Sequence, residues 1–172
     1  MRLLPSLLIV GVILMSQFLT SACNTSKNSL QYRLDSQENY TINQPVNIVF
    51  MLENLDVQPL WVLTWYTPLE GLKGRILQVI CDGEEILYEG PMVKRGRPTQ
   101  EDYVLIQPGE SVSKEVELSS AYNLPVAAVC QVKFRGTIHD VVREESQIFG
   151  AEENYQGLEI PGNMVTFQIS PP

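Results

Sequence analysis

The chain has 172 residues, 44% of them apolar, and carries 12 Lys and Arg against 20 Asp and Glu for a net charge of −8. That length suits a single domain. The acidity argues against nucleic acid as a partner, because neutralising phosphates takes a broad cationic surface.

Met1-Arg2 leads into an apolar run from Leu3 to Met15, and small residues follow up to Cys23. This is the pattern of a secretory signal, and the run is too short for a comfortable membrane span of about 20 apolar residues. Thr20-Ser21-Ala22-Cys23 resembles a bacterial lipobox. That resemblance implies cleavage before Cys23, diacylglycerol on its sulfur and acylation of the new amino terminus; the alternative is an ordinary signal peptide cut near Ala22. Two or more acyl chains hold a protein stably on a membrane. The expectation is a signal over 1–22, a polar tether over 23–29 and one domain over 30–172. Asn24 rather than Asp follows Cys23, which in a Gram-negative bacterium resembles the signal for the outer membrane. Loss of Arg2 takes the mature charge to −9.

The elements then read as strands. Leu30–Leu34 alternates, and Val46–Leu52 places Val46, Ile48, Phe50 and Leu52 on one face at period two. Leu60–Trp65 follows Pro59, and the Thr67-Pro68 and Gly71 signals break the chain after it. Ile76–Cys81 and Glu85–Tyr88 flank Asp82-Gly83, the best short hairpin signal in the chain. Tyr103–Ile106 and Ser111–Leu118 flank Pro108-Gly109. Ala127–Phe134 puts Cys130, Val132 and Phe134 on one face, a polar acidic stretch runs from Gly136 to Gly162, and Met164–Ile169 is the last strand. Short strands with a turn signal about every ten residues predict one all-β domain, a single immunoglobulin-like antiparallel β-sandwich of about 8 strands.

With Cys23 assigned to lipid, Cys81 and Cys130 remain in an oxidising compartment. They either form a disulfide or sit as two buried thiols that pack as small apolar groups. Catalytic patterns are missing from the sequence. The one histidine, His139, has no HExxH or CxxC around it, and no GxSxG elbow or glycine-rich phosphate loop occurs. The pairs Glu84-Glu85, Glu144-Glu145 and Glu152-Glu153 read as a solvated acidic face. The expectation is a non-enzyme without cofactor or metal.

The run Leu63-Thr64-Trp65-Tyr66-Thr67-Pro68-Leu69-Glu70-Gly71 resembles the L-x-W-x-T-P-L-E-G run of the deuterolysin and peptidyl-Lys metalloendopeptidase family of zinc peptidases, in the domain preceding their catalytic part. The similarity continues through Asp82-Gly83, Tyr88 to Arg95, Pro98-Thr99, Glu101-Asp102-Tyr103, Pro108 to Ser111 and Tyr122-Asn123-Leu124. In those enzymes the segment looks like a propeptide that assists folding of the catalytic domain or holds it inactive. The catalytic part does not follow here, so peptidase activity is not carried over. Cysteines at 81 and 130 depart from the family pattern, and their joint appearance favours the disulfide.

The resemblance implies a membrane-anchored, propeptide-like module that inhibits or escorts a secreted zinc endopeptidase. Candidate contacts are Trp65, Tyr66 and Pro68 in one loop and Lys94, Arg95 and Arg97 in another, with Lys94 a substrate-like bait. The bland alternatives are core packing for Trp65 and a solvated hairpin loop for the basic residues. A second reading is a generic immunoglobulin-like envelope lipoprotein with a non-peptidase partner.

Overall fold

The computed structural model describes residues 29–150 and 157–171. Cys23, the signal and nearly all of the tether lie outside the described residues. Among the described residues eleven strands form in chain order: β1 (Leu30–Ser36), β2 (Asn39–Thr41), β3 (Asn47–Asn54), β4 (Leu60–Leu63), β5 (Leu77–Cys81), β6 (Glu84–Glu85), β7 (Tyr103–Ile106), β8 (Ser111–Glu117), β9 (Val129–Phe134), β10 (Val141–Val142) and β11 (Met164–Ser170). Eight of them are four residues or longer. Among the described residues the only helices are single 3₁₀ turns and one six-residue 3₁₀ segment, and no helix is long and apolar enough to cross a membrane.

One sheet has the order β1-β3-β8 and the facing sheet β2-β11-β9-β5-β6. Period-two alternation builds the space between them. Leu30, Tyr32 and Leu34 of β1 and Ile48, Phe50 and Leu52 of β3 point inward from one side. Leu77, Val79 and Cys81 of β5, Cys130, Val132 and Phe134 of β9, and Phe167 and Ile169 of β11 meet them from the other. Tyr32, Phe50 and Phe134 pack ring against ring at the centre, with centroids 5.2 to 6.0 Å apart. The chain is an immunoglobulin-like β-sandwich.

Three local devices set the architecture. The first strand changes sheets at Gln37–Glu38: β1 pairs antiparallel with β3, whereas β2 pairs parallel with β11. The seam between the sheets is closed by Asn163, whose side-chain amide accepts from the Leu34 N–H at 2.7 Å and donates to the Leu34 carbonyl at 2.9 Å. Gly162 lets this segment lie against β1, since a Cβ there would meet the Tyr32 ring at 2.2 Å. Asp82 and Gly83 both take positive φ, 50° and 86°, as the primed turn of a two-residue hairpin requires.

The third sheet, β10-β4-β7, prolongs the first. β3 pairs with β8 from Asn47↔Glu117 to Glu53↔Ser111, and the same two stretches of chain pair again from Leu60↔Ile106 to Leu63↔Tyr103. Between them, residues 55–59 leave the ladder opposite 107–109. Asn54, fully buried, fills the gap by donating from Nδ2 to the carbonyls of Gln58 and Ile106, both at 2.9 Å, and accepting from the Asp56 N–H at 2.8 Å. Arg143 then grips Asp56 with two hydrogen bonds, at 2.7 and 3.1 Å.

Besides the unanticipated β2, four elements differ from the sequence expectation. β4 stops at Leu63: the Thr64 N–H still reaches the Asp102 carbonyl, next in the ladder register, and Tyr66 then takes a positive φ of 59° that turns the chain into the corner. β9 starts at Val129, since Ala127 takes a positive φ of 59°. The expected strand 85–88 is cut to Glu84–Glu85: the Tyr88 hydroxyl lies between the carbonyls of Leu72 (2.8 Å) and Pro91 (2.7 Å), its one proton shared between them, and draws the chain off the sheet edge. Within 136–162, β10 pairs with β4, and a 3₁₀ segment, Glu145–Gly150, follows it.

Candidate functional site

At the end of β4 the sequence Thr64 to Gly71 folds into a corner that its own side chains hold. Thr67 caps the 3₁₀ turn Pro68–Glu70: its hydroxyl accepts from the Leu69 N–H at 3.2 Å and donates to the Thr64 carbonyl at 2.6 Å. Proline opens the turn, where its missing N–H costs nothing. Tyr66 adopts a φ of 59°, uncommon for a residue with a side chain, and its N–H donates to Glu70 Oε1 at 2.9 Å. The other Glu70 oxygen is paired with Arg95. Both side chains of that pair are mostly covered, 7% and 16% exposed.

Arg95 lies over the Trp65 ring, 5.1 Å from its centroid. Trp65 is 7% exposed and packs with Leu63, Tyr103 and Ile148 in a small core beside the main one. Its indole N–H donates to Asp102 Oδ1 at 2.8 Å, while Asp102 Oδ2 accepts from the N–H and hydroxyl of Thr99 at 2.8 and 3.0 Å. Thr99 and Asp102 form a capping box around the 3₁₀ turn Gln100–Asp102. Glu70, Arg95, Trp65, Asp102 and Thr99 thus form one continuous network joining the β4–β5 and β6–β7 connections.

This places each candidate contact. Trp65 and Pro68 are buried and Arg95 is locked inside the network, so none of the three offers its side chain to a partner. Lys94 and Arg97 are exposed on either side of Arg95, and Tyr66 is 36% exposed with its ring 4.4 Å from that of His139. Cys81 and Cys130 are bonded, 4.1 Å apart at Cα, directly opposite one another on β5 and β9. Among the described residues no three His, Cys, Asp or Glu side chains come together as a metal cluster would require.

Glu70 and Asp102, on which the network turns, were not singled out as site residues from the sequence. Both lie in the runs that carry the family resemblance, and the Thr-x-x-Asp spacing at 99–102 is a further sequence signal for Asp102. Next to the corner, Tyr66, Met92, Val93 and His139 wall a groove of about 350 Å³ that sequence reasoning did not anticipate.

Two aspartates in the β4 and β7 region are held below the ordinary carboxyl range. Arg143 does this for Asp56 by hydrogen bonding. For Asp102, burial pushes upward but is outweighed by hydrogen bonds from Thr99 and Trp65 and by the charge of Arg95. Carboxyls with a folded-state value below their unfolded one contribute stability above the ordinary Asp value of 3.8 and lose it as the pH falls through the depressed range. Urea midpoints measured from pH 7 down to about 3 are expected to fall most steeply below the ordinary Asp value. The Asp56→Asn/Asp102→Asn double variant is expected to show a shallower acid slope. An unchanged slope would refute the assignment.

No protein-family profile matches the chain. Over 105 residues it is 30% identical to an extracellular protease of Aeromonas hydrophila; the match covers 61% of this chain and 30% of that protein. Among solved structures it is similar to the CARDB domain of the PF1109 protein from Pyrococcus furiosus, determined as a crystal structure in complex with di-metal ions and by solution NMR. The TM-scores are 0.33 and 0.32 at 12% and 11% identity, covering 83% of this chain and 94% of that domain in both cases. The chain spans under a third of the protease it resembles and is similar to a segment of an extracellular protease, joined here to an immunoglobulin-like fold.

Proposed function

We propose that this chain is a non-catalytic accessory domain that docks a secreted zinc endopeptidase, as a propeptide docks its enzyme, and that lipid on Cys23 keeps it at the bacterial envelope. The observation that carries this reading is the similarity to part of an extracellular protease over 105 residues. The family resemblance of the Leu63–Gly71 run supports it. The residues on which that resemblance rests, Trp65, Thr67, Pro68, Glu70, Arg95, Thr99 and Asp102, bind to one another, so the shared feature is a folded corner rather than a reaction centre. The surface that corner displays, with Tyr66, Lys94 and Arg97, is the docking face.

Titrating the purified chain against a lysine-specific zinc endopeptidase, with a serine peptidase as control, tests the proposal. Saturable binding, seen as inhibition or as a stoichiometric complex on size-exclusion chromatography, is expected with the zinc enzyme alone. Equal binding to both enzymes or to neither rejects it. In the second case, recovery of a stable non-peptidase partner from membranes would make the chain a general envelope-binding module.

A further inference from the structure

The groove beside the corner has a composition at odds with the rest of the chain. Its apolar walls are Tyr66, Met92, Val93 and His139, and Met92 is 78% and Val93 40% exposed. Burial pushes the His139 imidazole below its usual value, so at neutral pH this wall is uncharged. Lys73, Arg75 and Arg135 line the groove as well, and no Asp or Glu does among the described residues. Arg75 and Arg135 converge on one oxygen of Glu85, at 3.2 and 2.5 Å, which leaves two positive charges in surplus on a chain whose net charge is −8.

We infer that this groove binds an extended, acidic peptide segment of a protein partner, one that places a large apolar side chain between Tyr66 and Met92 and its carboxylates against Lys73, Arg75 and Arg135. Charge complementarity selects that occupant: a basic segment would add to a surplus of two positive charges, and a wholly apolar one would leave that surplus uncompensated. Methionine suits the apolar wall because its unbranched side chain adapts to the ring or branched group it receives. Tyr66 is held in place from behind, its N–H bonded to Glu70, which Arg95 fixes in turn, so the wall is preorganised and little ordering is lost on binding. The inference deepens the peptidase-docking reading and rests on it only for the identity of the partner.

Fluorescence anisotropy with a fluorescein-labelled hexapeptide alternating Glu and Phe, and a control with Lys in place of every Glu, tests the groove directly. The acidic peptide is expected to bind at least tenfold more tightly than the control and to weaken as salt rises. Met92→Glu and Lys73→Glu, both at surface positions, are each expected to lower its affinity about tenfold with the near-ultraviolet circular dichroism unchanged. Equal affinity for the two peptides, or variants that bind as the parent does, would overturn the inference. The two readings fail separately. A chain that binds the acidic peptide but no peptidase keeps the groove and loses the proposed function. One that binds the peptidase equally well as parent and as both variants keeps the function and loses the groove.

Discussion

Removal of the Cys81–Cys130 bond is expected to lower the free energy of unfolding by about 4 kcal/mol. The bond joins residues separated by 49 in sequence, and closing a loop of that length removes much of the freedom of the unfolded chain. It lies across two neighbouring strands, at a Cα separation of 4.1 Å that matches the narrow, non-hydrogen-bonded pairs of an antiparallel ladder. The residues just beyond it are tied as well, since the N–H of Asp82 donates to the Val129 carbonyl and the N–H of Val129 to the Asp82 carboxylate, both at 3.0 Å. The folded ladder therefore holds without the bond, and the loss falls mainly on the unfolded side. With a urea dependence of about 2 kcal/mol per molar, a Cys81→Ala/Cys130→Ala variant would unfold about 2 M earlier than the parent. A shift under about 0.5 M would mean that the reduced unfolded chain is already ordered around this loop.

Trp65→Ala is expected to cost about 3–5 kcal/mol, the range for removing a large aromatic side chain from a core. Its position argues for the upper end. Besides the cavity beside Leu63, Tyr103 and Ile148, the change strips a hydrogen-bond donor from Asp102 and the ring from beneath Arg95. Trp65→Phe separates the contributions, because it keeps most of the ring and loses only the N–H. It is expected to cost about 0.5–1.5 kcal/mol, the net worth of one hydrogen bond, because the half-buried Asp102 carboxylate can take water in its place. Thermal or urea unfolding of the two variants measures both values. If Trp65→Ala weakened peptidase binding while leaving stability unchanged, Trp65 would be a contact residue after all and the network would not be what holds the corner.

The strands that alternate cleanly were legible in the sequence. Val46, Ile48, Phe50 and Leu52 of the β3 region, and Cys130, Val132 and Phe134 of β9, all point into the core as their spacing requires. The Asp82-Gly83 hairpin was equally plain, because few dipeptides adopt two positive φ values in succession. β2 and β10 were not visible, for they have three and two residues and owe their existence to the strands they meet, β11 and β4. The break at residues 55–59 is marked in the sequence only by Pro59 ahead of the next strand. That it interrupts a ladder which then resumes depends on Asn54 reaching two carbonyls at once, one of them 52 residues away.

The candidate site divides in the same way. Composition marked Lys94, Arg95 and Arg97 as a basic cluster in an acidic chain, but charge type alone does not say which of three neighbours turns inward. Arg95 does so because Glu70, 25 residues earlier, offers it a covered carboxylate above an aromatic face. Nothing in the sequence sets Lys73, Arg75, Met92, Arg135 and His139 around one groove, since their loops meet only once the sandwich has closed. The sequence by itself determined the strand pattern, the all-β class and the two cysteines able to pair, because period-two alternation, turn chemistry and residue type act over a few positions. The tertiary structure alone decided which charged side chains were taken up as internal ties and which were left at the surface, because burial of a charge depends on a partner that chain order does not supply.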